Sequence, residues 1–134
     1  MGLFHWDNSY SVGYAEIDNQ HKRWFQLAHE VHSAVVTGKG KEVLGPTLAS
    51  FTAYTKGHFA SEERLMLTNG YPDFQEHQDE HEALTQKLFQ AQHDLENGRA
   101  TVTLEFLKFL KVWLGHHISV VDSRLGAYLN EKGR

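Results

Sequence analysis

Apolar residues recur along most of this chain at the three- and four-residue spacing of amphipathic helices. Short segments rich in glycine, asparagine and proline separate four such stretches, which predict helices over residues 18–37, 43–68, 73–97 and 101–130. Asp18 is the predicted N-cap of the first helix, and Gly38 and Gly40 mark its end. Residues 1–17 lack the helical period and are predicted to form an ordered arm that packs on the domain.

Proline and capping signals refine the inner boundaries. Pro46 is expected in the first turn of the second helix, because deeper in a helix it would remove a backbone hydrogen bond. Tyr71-Pro72 predicts a turn, and Asp73 followed by Glu76 resembles a capping box at the start of the third helix.

Helices of roughly 20 residues are about 30 Å long, and short connections make neighbouring helices antiparallel. We therefore predict an all-α, up-down-up-down four-helix bundle that forms a single domain over residues 1–134. In the fourth helix, the predicted core-facing stripe is Val102, Phe106, Phe109, Leu110 and Trp113.

Every predicted helix also carries a histidine in line with its core residues, and the second helix adds a carboxylate. An ionised carboxylate in an apolar seam is costly unless it is paired or binds a metal. In an up-down-up-down bundle these positions all fall at one end, and two of the pairs are spaced i, i+4 on one helical face. The residues are His21, His58, Glu62, His77, His81 and His117.

Asp122 is a further carboxylate on the fourth helix. It lies five residues after His117, about 140° around an ideal helix, so the spacing alone does not select it. Its participation would require a local distortion or break of the helix after His117.

Composition narrows the classes of protein. The chain of 134 residues has 10 histidines and no cysteine, which excludes disulfides, thiolate metal sites, c-type haem attachment and a catalytic thiol. The net charge of −4 comes from interspersed charges, which argues against a nucleic-acid partner. No segment is apolar enough to span a membrane, and no secretory signal is recognisable, so a cytoplasmic location is expected.

Four segments together carry a family resemblance that covers Trp6 to Leu129. They are Ile17-Asp-Asn-Gln-His-Lys22, His58-Phe-Ala-Ser-Glu-Glu63, Tyr71-Pro72 followed by His77 and His81, and Trp113-Leu-Gly-His-His-Ile-Ser-Val-Val-Asp122. The chain resembles the hemerythrin family, and in particular its bacterial single-domain members.

The resemblance implies two iron ions (Fe²⁺/Fe³⁺) joined by an oxo or hydroxo bridge. His77, His81 and His117 would hold one iron, and His21 and His58 the other. Glu62 and Asp122 would bridge both, and the family pattern selects His117 over its neighbour His116. The iron with two histidines would then keep one position open for dioxygen, and a nitrogen and oxygen ligand set suits iron.

The residues expected around that open position are apolar, which limits proton delivery. They are Trp113, Leu114, Ile118, Phe25 and Phe59, of which Phe25 and Phe59 fit a purely structural core role equally well.

The predicted function is reversible dioxygen binding for storage, delivery or sensing, without catalysis. Storage or delivery is preferred because no signalling domain is attached, and a monomer is expected. The alternative is a di-iron enzyme acting on peroxide, nitric oxide or a small reductant, but typical di-iron oxygenases use more carboxylates in Glu-x-x-His pairs. A bundle that only scavenges metal is a third possibility.

Overall fold

Four antiparallel helical stretches enclose one core, as the sequence predicts. The computed structural model describes residues 4–38, 41–98 and 103–132. Its helices are α1 (Ala15–Val36), α2 (Lys41–Thr68), α3 (Phe74–Glu96), α4 (Leu104–His116), a π-helical segment (His117–Asp122) and α5 (Ser123–Lys132). α4, the π segment and α5 follow one another directly and form the fourth stretch of the bundle. α1 packs on α2, α2 on α3 and α1 on α4.

The start of α1 differs from the prediction. The helix begins at Ala15 with Tyr14 as its N-cap, so Asp18 lies in the first turn and the arm ends three residues earlier than expected. The Asp18 carboxylate accepts hydrogen bonds from the backbone N–H of Val12 (2.8 Å) and from the hydroxyl of Ser11 (2.5 Å). Asp18 thus ties the arm to α1 instead of capping the helix.

The start of α2 also differs. Because this helix begins at Lys41 instead of 43, Pro46 lies in the second turn, where the N–H that it lacks would have bonded within the helix. Pro46 was therefore wrongly placed in the first turn.

The capping box predicted for α3 does not form. Asp73 is the N-cap residue, but its side chain makes no capping hydrogen bond. The predicted start of the fourth helix at Thr101 lies outside the described residues. In the described part, Thr103 caps α4 by accepting a hydrogen bond from the backbone N–H of Phe106 at 3.2 Å.

The ends of α1 and α3 agree closely with prediction. Gly38 (φ +69°) and Gly98 (φ +80°) follow the two helices in the left-handed region, which favours glycine as the residue that terminates a helix.

The core contains side chains from all four stretches and from the arm. Leu107, Leu110 and Leu114 form the buried face of α4, whereas Phe109 is 39% exposed, so its assignment to the core was wrong. Phe109 instead packs on Phe106 at the edge of the core, with 6.3 Å between ring centroids. The core face of α4 passes through positions 107, 110 and 114, and position 109 lies well away from that line on a 3.6-residue helix.

The π segment is the helical distortion that the position of Asp122 requires. Its wider turn is shown by the backbone N–H of Ser123, which donates to the carbonyl of Ile118 five residues earlier. In this segment residues five apart lie closer to one face than they do in an α-helix. His117 and Asp122 are the first and last residues of the segment, and both are fully buried.

The arm packs against the bundle in an ordered way. Asn8–Tyr10 forms a 3₁₀ turn, Phe4 is buried, and the ring of Tyr10 lies 4.9 Å from that of Phe25. The carbonyl of Val12 approaches α5 at Gly126, where a Cβ atom would lie only 2.2 Å from the carbonyl oxygen. The arm is therefore part of the folded domain.

Candidate metal centre

The seven side chains predicted to bind metal converge at one end of the bundle. α1 supplies one, α2 two, α3 two, and the π segment two. All are between 0% and 3% exposed, although each is a histidine or a carboxylate. They are His21, His58, Glu62, His77, His81, His117 and Asp122.

The donor atoms form two overlapping groups, within each of which they lie no more than 4.8 Å apart. One group contains three histidines, the other contains two, and Glu62 and Asp122 belong to both. The three-histidine group is His77, His81 and His117, and the two-histidine group is His21 and His58. This division is the one that the family resemblance implies.

Glu62 presents one carboxylate oxygen to each group. Its Oε1 lies 3.1 Å from Nε2 of His77 and 3.0 Å from Nε2 of His81. Its Oε2 lies 3.0 Å from Nε2 of His58 and 3.4 Å from Nε2 of His21. The carboxylate therefore spans the space between the two groups.

Asp122 has the same arrangement on the opposite helical stretch. Its Oδ1 lies 2.9 Å from Nε2 of His77 and 3.2 Å from Nε2 of His117, both in the three-histidine group. Its Oδ2 lies 3.0 Å from Nε2 of His21 in the two-histidine group. Two carboxylates that each face both groups are the arrangement needed to bridge a pair of metal ions.

The orientation of these atoms indicates that they fit metal ions better than they fit one another. Among the described groups, Nε2 of His21, His58 and His117 has no partner with hydrogen-bond geometry, despite the short distances to the carboxylates. The same holds for Oε2 of Glu62 and both oxygens of Asp122. Buried polar atoms are rarely left without partners, so these atoms point to a shared cation.

The outer nitrogens of three histidines are held by polar side chains that the sequence analysis missed. Nδ1 of His81 donates to Glu63 (2.9 Å), Nδ1 of His117 to Glu80 (3.0 Å), and Nδ1 of His58 to Gln20 (2.6 Å). Such partners orient a histidine and, by accepting a hydrogen bond from Nδ1–H, favour the tautomer whose Nε2 is free for a metal.

These three bonds, which we call the crossing hydrogen bonds because each joins two helical stretches, share one sequence pattern. Gln20, Glu63 and Glu80 are each adjacent in sequence to a predicted ligand, and each bonds to a ligand on a different helical stretch. Adjacency to a ligand was the only signal available in the sequence. The bonds also differ in charge, because two carboxylates support the three-histidine group and a neutral amide supports the two-histidine group.

Aromatic rings cover both groups. Phe59 stacks on His81 (3.8 Å between centroids, 4° between planes), and Trp113 stacks on His117 (4.5 Å, 15°). Both rings thus lie on the three-histidine group, and the Phe59 ring also lies 5.9 Å from that of His58 in the two-histidine group.

Trp24 covers the two-histidine group and was not predicted. Its ring lies 4.8 Å from that of His58 and 5.8 Å from that of His21, and its Nε1 donates to the Thr55 hydroxyl at 2.8 Å. Its position three residues after His21 is the signal that could have revealed it.

The other three predicted pocket residues are also buried. Leu114 and Ile118, which flank His117 in sequence, have no exposed surface. Phe25 packs on Tyr10 and lines a surface cavity beneath the arm, with Phe4 and Trp6. The assignment of these residues to an oxygen pocket stays a prediction.

The two buried carboxylates hold protons on nearby histidines in the metal-free chain. Burial alone lowers the pKa of His21, but Asp122 and Glu62 outweigh it and raise that pKa to about 9. Burial likewise lowers the pKa of His117, and Asp122 and Glu80 together raise it to about 10. Burial raises the carboxyl pKa values of Glu62 and Asp122, but the surrounding histidines hold both below their usual range. A metal must therefore displace protons.

Comparison with known proteins decides the family. The model of the family described as the hemerythrin HHE cation binding domain matches residues 12–129. This chain belongs to the hemerythrin family. The resemblance drawn from the sequence motifs is confirmed.

Relatives of this hemerythrin cover nearly all of its length. It is 35% identical to a bacteriohemerythrin from Methylococcus capsulatus over 90% of this chain and 89% of that protein. It is 30% identical to a bacteriohemerythrin from Stenotrophomonas maltophilia over all of this chain and 89% of that protein. A hemerythrin from Sipunculus nudus is also 30% identical, over 89% of this chain and 87% of that protein.

Solved hemerythrin structures share the fold. A wild-type hemerythrin crystal structure has a TM-score of 0.90 and 31% identity, covering 96% of this chain and 98% of that chain. The predicted bundle is thereby confirmed. Among the described residues of this hemerythrin, no helix is both long and apolar enough to cross a membrane.

Proposed function

We propose that this hemerythrin binds dioxygen reversibly at a non-haem di-iron centre. The proposed ligands are His77, His81 and His117 for one iron, His21 and His58 for the other, and Glu62 and Asp122 for both. Two ferrous ions with an oxo or hydroxo bridge would supply the two electrons that reversible dioxygen binding requires. The observation that carries the proposal is the pair of buried carboxylates, each with one oxygen facing each histidine group.

The surroundings of the centre favour binding over catalysis. In the described part of the chain, the buried side chains that can ionise are the seven proposed ligands and Tyr71, and burial raises the pKa of the Tyr71 phenol above its usual range. The remaining buried polar side chains, Thr52 and Thr55, donate to backbone carbonyls of α2 at 2.9 and 2.7 Å. No such acid or base is therefore left over to transfer protons to a substrate.

The aromatic rings over the centre also favour binding over catalysis. Trp24, Phe59 and Trp113 contact one another, with ring centroids 5.5 to 6.4 Å apart, and together they lie over both histidine groups. They exclude water from that side of the centre, which restricts proton access and protects the reduced state. The storage or delivery role, the monomeric state and the cytoplasmic location stay predictions.

Metal analysis combined with visible spectroscopy tests the proposal. The reduced protein should contain two irons per chain and gain a coloured band under oxygen that disappears when oxygen is removed. Stoichiometric zinc, or a colour that never returns to that of the reduced form, would contradict reversible dioxygen binding.

Two histidines of α1 provide a matched test of the ligands. His21→Ala removes a buried member of the two-histidine group, whereas His29→Ala removes an exposed histidine about two turns along the same helix. We expect His21→Ala to lower the iron content while the helical circular dichroism is kept, and His29→Ala to retain two irons. Equal iron contents in the two variants would remove His21 from the centre.

A further inference from the structure

A small cavity opens beside the metal centre, where the start of α3 meets the segment from α4 to α5. Its volume is about 130 Å³. Its lining includes Asp73, Glu76, His77, Glu80, His116 and Arg124. We call it the α3 cavity.

His77 connects the α3 cavity to the metal centre. The residue is only 1% exposed, and its Nε2 faces Glu62 and Asp122 at 3.1 and 2.9 Å. Its Nδ1 is buried and, like Nδ1 of His21, has no hydrogen-bond partner among the described groups, whereas Nδ1 of His58, His81 and His117 has one. His77 is thus the one proposed metal ligand that lines the α3 cavity, and its Nδ1 lacks the partner that buried polar atoms normally have.

The α3 cavity is also negatively charged. Three carboxylates line it against the single guanidinium of Arg124, which gives a formal charge of −2. Glu80 is engaged with Nδ1 of His117. Within residues 4–38, 41–98 and 103–132, the carboxylates of Asp73 and Glu76 make no hydrogen bond or ion pair, and the Asp73 side chain makes no capping bond to α3 although Asp73 is its N-cap residue.

Other cavities that reach a proposed ligand are less negative. The cavity at His58 is lined by Gln20 and Tyr54 and has no formally charged side chain. The cavity at His81 combines Glu63 and Glu82 with Lys56, for a formal charge of −1. Among these described openings, the α3 cavity therefore attracts a divalent cation most strongly.

A buried centre needs such an opening. Its seven side chains are at most 3% exposed, so an ion has to pass between surface side chains to reach them. In the described chain, Asp73 and Glu76 do not belong to a compact cluster of donor atoms. They are therefore suited to hold an ion loosely through its hydration water and to release it.

We propose that the α3 cavity captures hydrated divalent cations, Fe²⁺ in the cell, on their way to the buried centre. Asp73 and Glu76 attract the ion, and His77 is the ligand that it meets first. The proposal rests on the proposed function only in requiring that the centre holds metal. It assigns to Asp73 and Glu76 an effect on the rate of metal uptake and none on the amount finally held.

Stopped-flow absorbance of Co²⁺ uptake by the metal-free full-length chain tests this role. The variants are Asp73→Asn, Glu76→Gln and their combination, which preserve side-chain size. Glu82→Gln is the matched control, because it removes one carboxylate from the cavity at His81. We expect the double variant to take up Co²⁺ roughly three- to thirtyfold more slowly at low ionic strength. The deficit should shrink as salt is added, and the control should retain the rate of the parent.

The equilibrium amount of bound metal separates this proposal from the proposed function. Slower uptake with an unchanged two ions per chain supports capture at the α3 cavity. Unchanged rates, or equal slowing in Glu82→Gln, would overturn it. A lower final metal content in folded variants would make Asp73 and Glu76 part of the centre and would also overturn it. If the parent itself binds no metal, the proposed function fails and capture fails with it. The single variants give the same readout if the double variant does not fold.

Discussion

Replacement of Gly126 by alanine should loosen the arm from the bundle. A Cβ atom at this position would lie 2.2 Å from the carbonyl oxygen of Val12 and 3.0 Å from its Cβ, whereas ordinary contact begins at 3.4 Å. The obstacle is backbone, so no change of rotamer relieves it, and the arm must retreat by more than an ångström. That movement strains the 2.8 Å hydrogen bond from Val12 to Asp18.

Two opposing contributions determine the size of the effect. Overpacking in a well-packed region costs about 1–3 kcal/mol, and replacing glycine by alanine within a helix returns about 0.5–1 kcal/mol. We therefore expect Gly126→Ala to lower the free energy of unfolding by about 1 kcal/mol, within a range of about 0–2.5 kcal/mol. Gly57→Ala is the matched control, because Gly57 lies in α2 and its Cβ would meet nothing within 4 Å. It should stabilise the protein by about 0.5–1 kcal/mol.

Urea denaturation of the metal-free variants measures both free energies without a contribution from bound metal. Limited proteolysis adds a local readout, since a displaced arm should be cleaved faster in Gly126→Ala and at the parental rate in Gly57→Ala. If Gly126→Ala stabilises the protein as much as Gly57→Ala does, the close approach of the arm to α5 is wrong.

Three further predictions concern the centre. Glu80→Gln removes the charge that holds Nδ1 of His117, so it should weaken metal affinity about tenfold in competition titrations. The same loss of affinity in the control Glu82→Gln would argue against a specific role of Glu80. Ile118→Ala and Leu110→Ala should each destabilise the fold by about 2–5 kcal/mol, because both side chains are buried. Only Ile118→Ala, beside His117, should speed irreversible oxidation of the metal-loaded protein. Equal oxidation rates in the two variants would exclude Ile118 from the pocket. In the metal-free protein, the raised pKa values of His21 and His117 contribute stability below pH 6.5 that is lost as the pH rises to about 9 and about 10. Calorimetry should therefore show the Tm of the metal-free protein falling over this range, and a flat profile would contradict the proton-holding role of the carboxylates.

Much of the fold follows from helical periodicity. The four stretches and the glycines that end α1 and α3 are local features, and local sequence specifies them. The starts of α1 and α2 were misplaced because Asp18 and Pro46 carry strong local signals that tertiary contacts override. Asp18 bonds to the arm, and Pro46 is tolerated one turn deeper than its preference.

The proposed ligands can be predicted from the sequence better than the side chains that surround them. Six of the seven converging side chains follow from their place on the core-facing stripes and at one end of the bundle. Asp122 does not, because its position depends on a π segment that no spacing rule reveals, and only the family resemblance selects it. The crossing partners Gln20, Glu63 and Glu80 depend on how neighbouring helices are placed, which no single helix encodes.

The crossing hydrogen bonds bear on what happens when metal is absent. Gln20 to His58 joins α1 to α2, Glu63 to His81 joins α2 to α3, and Glu80 to His117 joins α3 to the π segment. Protein groups alone therefore hold the ligand end of the bundle together. The entropic cost of ordering the ligand side chains is met on folding, before an ion binds. This preorganisation would let the domain bind and release metal as a folded molecule, without a new round of folding.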